Sequence, residues 1–485
     1  MDSHQKQRRK KAKTLTNSVA PIRRSSRIAA RQGWRIPPEI LLLIMKGLCD
    51  SKVSLKTAAL VCRAWRGPAQ VYMFSQMHIR QSQDCSRISK IIQKSPHLTS
   101  HVNTLFVEEH YAYSPRFGSI KDRPLISRVS YLQSRDATKI APILGSSVQT
   151  LKVEQCDEMR VDMLAELIQD MRNLTSLHLF GGEIAPNADE YVTDRLESLA
   201  TTSSTLSTEP TVDTSPFRLT RLTLDRIEHR FGLLKFLLDS GHFDLGALEN
   251  LDLTWMEADD QSDIAALDYT FLDRLFRRVG TNLKGLMLGF WGMYPRDQYL
   301  EHYTMNPTNS PLRCLVTLES FSIISQEHSK LDPSLYLALL TSVPSSSLTH
   351  MRLQTVIDVY DFATLTPAFF AQPEEDPAKH WKAVDSLLGD ENRFPVLKSL
   401  TITVVLEFES DISELTLHDT EACRDPICFD CVFLINRGGK EMANKHTEES
   451  IDQTSMQIVG LFEGTLTRLK ERGLLNVEIE KRLSY

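Results

Sequence analysis

LENLDL, residues 248 to 253, and LKGLML, residues 283 to 288, decide the fold. Each has leucine at its first, fourth and sixth positions, and the last three residues of the first alternate apolar, polar, apolar, the period of a strand with one covered face. With aliphatic or aromatic substitutes the pattern returns as VQTLKV (148–153), LTSLHL (174–179), LTRLTL (219–224), LESFSI (318–323), LTHMRL (348–353) and LKSLTI (397–402). An earlier VNTLFV (102–107) and the later ISELTL (412–417) and LLNVEI (474–479) also fit. Between the copies, residues 161–171, 270–279 and 334–343 read as helices, so the unit is a strand followed by a helix.

This pattern resembles a degenerate leucine-rich repeat. The resemblance implies an irregular solenoid over residues 100–485, an α/β fold with a parallel sheet. Start-to-start spacings run from 26 to 49 residues between 148 and 402, longer than the regular unit, and the family's Asn or Cys after the last leucine occurs only as Cys156. Stacking about nine or ten strands at roughly 4.8 Å makes a sheet about 40 to 45 Å across, wide enough to hold a protein. Alternation turns the two final apolar residues of each unit inward and its polar ones onto the concave face. Lys152, Glu154, His178, Phe180, Arg221, Asp225, Asp252, Met287, Arg352 and Gln354 are therefore expected as an exposed ladder and as the candidate surface for a protein target. The Ser/Thr-rich run 201–216 and the acidic run 372–380 read as loops, and Trp291 to Pro295 as buried loop packing more than as aromatic anchors at the rim.

The net charge of -6 conceals two different objects. Residues 1–36 hold eleven Lys or Arg against the single Asp2, a balance of +10, while the remainder carries 45 basic and 61 acidic residues, -16. Residues 1–35 are thus expected to be a disordered basic tail. Lys10 and Lys11, then Arg23, Arg24 and Arg27, match the spacing of a bipartite nuclear import signal, which places the chain in the nucleus, the cytoplasm or both. A plain solvated arm and a phosphate-neutralising arm fit the same residues. No aromatic residue interleaves them before Trp34, so nucleic acid is not the expected partner. Eight scattered cysteines and no apolar leader behind Met1 argue for reduced thiols, and the longest apolar run, Ile40 to Met45, is far too short for a membrane span.

Between tail and repeats lies IPPEILLLIMKGL, residues 36–48. Pro37 and Pro38 suit the first turn of a helix, and Ile40, Leu41, Ile44, Met45 and Leu48 follow at helical spacing, with Leu42 and Leu43 widening the stripe beyond one face. A second helix is read from Leu55 to about Arg66, with Ala58, Val61, Cys62 and Trp65 on one face and Pro68 ending it. Two such helices cannot bury both stripes by themselves, so another surface must cover them.

Ile36-Pro37-Pro38-Glu39-Ile40, then Ile44 and Leu48, then Leu60-Val61-Cys62-Arg63-Ala64-Trp65 and finally Phe74 resemble the F-box, with Ile36 where that family usually has Leu. The resemblance covers residues 36–80. It implies docking onto the Skp-type adaptor of a cullin-RING ubiquitin ligase, with Ile36, Pro37, Ile40, Ile44, Leu48, Val61 and Trp65 making the contact or holding its helices in register.

Catalytic signatures are missing: there is no nucleophile elbow, dinucleotide fingerprint or zincin helix, and Gly438-Gly439-Lys440 lacks the rest of a phosphate loop. Cys423, Cys428 and Cys431, near His418 and His446, lack a second pair at zinc-finger spacing, so no metal or cofactor is expected. The chain is expected to be a non-catalytic substrate receptor of an SCF-type ligase. A nuclear repeat scaffold acting outside a ligase is the alternative.

Overall fold

A computed structural model of the chain describes residues 36–80, 82–108, 140, 142–154, 159–185, 216–228, 231–255, 262–291, 310–326, 333–344, 346–358, 377–409, 452 and 455–484. The basic tail, the 412–417 repeat, Cys156 and the Cys423/Cys428/Cys431 group lie outside these residues. The chain divides into two compact units, 1–73 and 74–485.

In the first unit, helix α1 (Pro38–Gly47) opens with Pro38 in its first turn and Glu39 facing the positive end of its dipole. Ser51 caps α2 (Lys52–Val61), its hydroxyl accepting the Ser54 amide. The single second helix expected from the sequence is in fact two. Cys62 is extended (φ -162°, ψ 171°), and α3 (Arg63–Phe74) starts immediately after it with Pro68 inside rather than beyond it. Pro68 withholds one helical hydrogen bond, a local cost that packing of the neighbouring Ala69 offsets. Met45, Leu55, Ala58 and Ala69 form the small core, with Leu48, Trp65, Tyr72 and Met73 against it.

The second unit is a parallel sheet. Its strands are β1 (Gln76–Ile79), β2 (Thr104–Glu108), β3 (Thr150–Glu154), β4 (Ser176–Ala185), β5 (Arg221–Glu228), β6 (Asn250–Trp255), β7 (Gly285–Trp291), β8 (Ser320–Gln326), β9 (His350–Asp358), β10 (Ser399–Glu409) and β11 (Leu475–Ser484). They pair side by side in chain order, every pair parallel, with a two-residue strand at Met159–Arg160 added beside β4. Eleven strands at roughly 4.8 Å span about 48 Å. β1 belongs to this sheet, not to the helical module that the sequence reading extended to residue 80.

Register explains why the repeated leucines fold this way. The fourth residue of each motif aligns across the sheet, Leu105 with Leu151, then Leu177, Leu222, Leu251 and Leu286, and the sixth forms the adjoining ladder, Val107 with Val153 onward. Both ladders are buried, and the motif's first residue (Val102, Val148, Leu174, Leu219, Leu248, Leu283) closes the core at the strand entrance. There each repeat repeats one hydrogen-bond device, a single carbonyl accepting two amides of the next unit: Thr175 and Ser176 donate to Gln149, Thr220 and Arg221 to Thr175, Glu249 and Asn250 to Thr220. The side-chain amides of Asn173 and Asn282 add bonds to the carbonyls of Ser146 and Gly246 in the preceding unit.

Helices cover the other face where the sequence leaves room for them. They are α4 (Ser82–Lys94), α5 (Val161–Ile168), α6 (Phe231–Asp239), α7 (Ser262–Val279), α8 (Pro333–Ser342), α9 (Pro377–Leu388) and α10 (Thr467–Glu471), with a further helical stretch at 455–465. α7 is longer than its periodicity implied, and the end of the acidic run at Pro377–His380 begins α9 rather than a loop. Variable outer segments account for the variable spacing while the strands stay in register.

One tie between neighbouring repeats stands out energetically. Asp385 of α9 is buried, and its two carboxylate oxygens accept the backbone amides of Arg468 and Leu469 at 3.1 Å each, at the start of α10. Asp385→Ala leaves two orphan donors at a helix N-terminus and is expected to destabilise the repeat unit by about 2–3 kcal/mol. The urea midpoint is the readout, and Asp385→Asn, which keeps one acceptor, is expected to fall between.

Candidate functional site

Two surfaces have the character of sites. The first is the helical module. Ile36, Ile40, Leu42, Leu43 and Ile44 are exposed along α1 and its entrance, Leu43 by 63%, and on α2 Val53, Leu60 and Val61 are exposed by 73%, 82% and 62%. Only Leu41 and Met45 of α1 are buried. Of the residues singled out in the sequence, Ile36, Pro37, Ile40, Ile44 and Val61 therefore lie on the surface, whereas Leu48 and Trp65 pack on the module's own core. Leu43 and Val53 are exposed apolar residues beyond those the motif pointed to, and Leu60, within its Leu-Val-Cys run, is exposed as well. The signal for Leu43 was present as a stripe too wide for one face.

The second surface is the concave face of the sheet. Strand alternation puts all ten expected residues on it: Lys152 and Glu154 on β3, His178 and Phe180 on β4, Arg221 and Asp225 on β5, Asp252 on β6, Met287 on β7, Arg352 and Gln354 on β9. Their exposure departs from the expectation. Arg221 is exposed, but Lys152, Glu154, His178, Phe180, Asp225, Asp252, Met287 and Arg352 are half-buried, and Gln354 is buried at 6%. Side chains only one strand apart shield one another. At Gln354 the shielding is nearly complete: it lies in register between Ile324 and Thr403, and the Arg352 guanidinium reaches over β10 to Thr403 (3.2 Å) and to Glu480 on β11 (3.2 Å). Thr403 and Val405, on the same face, are fully buried. The face is closed at these three positions.

The β1–β6 end of the face is polar and mostly half-buried, with Arg221 exposed and Thr223 and Thr254 buried. The His78 and Phe106 rings stack at 4.4 Å, and the Lys152 ammonium lies 5.1 Å from the Phe106 ring centre. His178 stacks on Phe180 at 6.0 Å, and its Nε2 lies 2.8 Å from the Ser176 hydroxyl. The Thr223 hydroxyl donates to Asp252 at 3.1 Å. Burial pushes the Asp252 carboxyl above the usual range against the counteracting Thr223 bond and Arg221 charge. The His178 pKa falls to about 4, first through burial and then through the charges of Lys152 and Arg221. The His78–Phe106, Lys152–Phe106 and Thr223–Asp252 pairings depend on register across strands 28 to 46 residues apart in the sequence, which motif spacing does not reveal.

The sign of the His178 effect is fixed. Unfolded, the imidazole titrates near its ordinary 6.5 and takes up a proton that the folded state refuses until about 4. Stability of the repeat unit is therefore expected to fall as pH drops from about 6.5 to 4. His178→Gln is expected to flatten that slope in pH-dependent thermal melts.

No group of His, Cys, Asp and Glu able to hold a metal occurs among the described residues, and no described helix is long and apolar enough to cross a membrane. Fold and face define the class: a mixed α/β protein whose large parallel sheet and outer helices make a leucine-rich-repeat-like solenoid. No protein-family model and no curated protein matches the chain. Among solved structures it is similar to a chain in the crystal structure of the Rad7 and Elc1 complex in yeast, at 13% identity over 79% of this chain and 94% of that one, with a TM-score of 0.25. A likeness at that level carries no weight for function.

Proposed function

We propose that this chain is the substrate-recognition subunit of an SCF-type ubiquitin ligase. Its F-box-like helical module at 36–74 binds a Skp-type adaptor and through it a cullin, and the concave face of its repeats binds a protein target. The observation that carries the reading is the module's uncovered apolar surface. Helices whose own core is Met45, Leu55, Ala58 and Ala69 leave Ile40, Leu43, Leu60 and Val61 in solvent, within the same stretch that reproduces the Pro-Pro-Glu-Ile start and the Leu-Val-Cys-Arg-Ala-Trp run. Apolar surface of this density calls for a protein partner.

The chain then works by positioning and performs no chemistry itself. Holding a target lysine beside the conjugating enzyme raises effective concentration without any catalytic group in this subunit. Lys10, Lys11, Arg23, Arg24 and Arg27 act as the import signal, placing the ligase in the nucleus as well as the cytoplasm. The test is co-purification of the full chain with a Skp-type adaptor and cullin. A stoichiometric complex is expected, and a folded chain that binds no adaptor removes the ligase reading.

A further inference from the structure

We propose that the concave face carries an anion-binding cradle across β3, β4 and β5, which receives a phosphate or carboxylate group of the protein target. The proposal rests on the reading of this face as the target-binding surface and specifies the chemistry recognised there.

Register builds the cradle. Lys152 on β3 stands directly beside His178 on β4, and Ser176 on β4 directly beside Arg221 on β5. Two long cationic side chains thus flank the Ser176–His178 pair from either side, on strands about 10 Å apart, a gap that one tetrahedral or planar anion bridges. Between them lie neutral hydrogen-bonding groups. His178 is held uncharged by burial and by both cations. When the Ser176 hydroxyl donates to Nε2, Nδ1 carries the ring proton and becomes a donor.

Lys152 lies over the Phe106 ring, a contact that leaves its charge unneutralised. Among the described residues neither Lys152 nor Arg221 has a carboxylate within ion-pair distance, whereas Arg80 and Arg352, at the two ends of the same face, are paired with Glu108 and Glu480 at 3.0 and 3.2 Å. Arg221 is the exposed member of the ladder. Nearby acids orient a ligand rather than neutralise the site. Asp252 is taken up by Thr223, while Glu154, Phe180 and Asp225 form the next rung along the same strands. An anion is drawn to the Ser176–Arg221 and Lys152–His178 rungs and repelled by the Glu154–Asp225 rung, so its approach has one polarity.

The test uses the full chain and decapeptide pools immobilised on beads, randomised except for a central phosphoserine, glutamate, serine or lysine. Retention on the phosphoserine pool, the glutamate pool or both is expected to exceed that on the serine and lysine pools by at least tenfold. Arg221→Ala and Lys152→Ala should each lower it by at least tenfold, and Arg313→Ala, an exposed cation away from the sheet, should leave it unchanged. Equal retention on the phosphoserine and glutamate pools identifies a carboxylate as sufficient; retention on phosphoserine alone identifies a phosphate. Equal retention on all four pools, or full retention by Arg221→Ala, overturns the cradle. Adaptor capture is measured on the same preparations. Anion selectivity without adaptor binding removes the ligase reading and leaves the cradle, while adaptor binding without anion selectivity removes only the cradle. Unchanged melting of the variants excludes misfolding as the cause of a loss.

Discussion

Ile40→Asp is expected to lower the affinity of the chain for a Skp-type adaptor by at least 100-fold while leaving its thermal stability unchanged or slightly raised. Ile40 lies in α1 with 45% of its surface exposed, so it contributes little to the module's core, which is built from Met45, Leu55, Ala58 and Ala69. In a complex the same side chain is buried. Loss of its apolar contact costs about 1.5–3 kcal/mol, and a carboxylate stranded in an apolar interface adds to that. A 100-fold loss corresponds to about 2.7 kcal/mol, so the estimate is conservative. Titration calorimetry of wild type and variant against the adaptor reads the effect. Met45→Asp is the contrasting case, since Met45 is fully buried and its replacement unfolds the module itself. If Ile40→Asp binds the adaptor like wild type, α1 is not the docking helix.

Gly280→Ala is expected to destabilise the repeat unit by about 2–3 kcal/mol, a large effect for one methyl group. Gly280 is buried immediately after α7, and a Cβ built there meets the Cys314 carbonyl oxygen at 2.5 Å and its carbon at 2.9 Å. The obstacle is backbone, in the short helical turn Pro311–Cys314 of the following repeat, so no side-chain rotation relieves it. To admit the methyl, α7 must move away from its neighbour, loosening the buried packing around Leu275, Phe276 and Leu312. Gly460→Ala is the control. Gly460 lies in the helical stretch 455–465, and nothing stands within 4 Å of its added Cβ. It is expected to be stabilised by about 0.4–1 kcal/mol. Opposite shifts of the two variants in urea denaturation support the close approach; an unchanged Gly280→Ala midpoint contradicts it.

The strands were legible because the leucine pattern encodes both period and register. Once Leu251 and Leu286 are recognised as equivalent, their ladder and the polar face opposite follow from alternation alone. β1 was missed because Gln76–Ile79 is short and carries only Met77 and Ile79 as its buried side chains, too little to show a period. The break at Cys62 was hidden by an apolar spacing that runs through both helices, and Pro68 was misread as a terminator because a proline's cost inside a helix can be met by packing that sequence does not display. Exposure was the least legible property. Gln354 stands on the same rung as Glu154, yet one is buried and the other half-open, because the Arg352 side chain beside Gln354 reaches across to Thr403. The cradle at Lys152, Ser176, His178 and Arg221 needs three strands placed side by side, so its members appeared in the sequence only as separate polar positions, and Ser176 was not singled out there.

Hydrogen–deuterium exchange of the full chain with and without a Skp-type adaptor tests the central claim most directly. The account predicts slowed exchange in α1 and α2, over residues 36–61, where Ile36, Ile40, Leu43, Val53, Leu60 and Val61 now face solvent, and unchanged exchange in β3 to β6. A stable complex that leaves α1 and α2 exchanging as in the free chain, or that protects the concave strands instead, would contradict it.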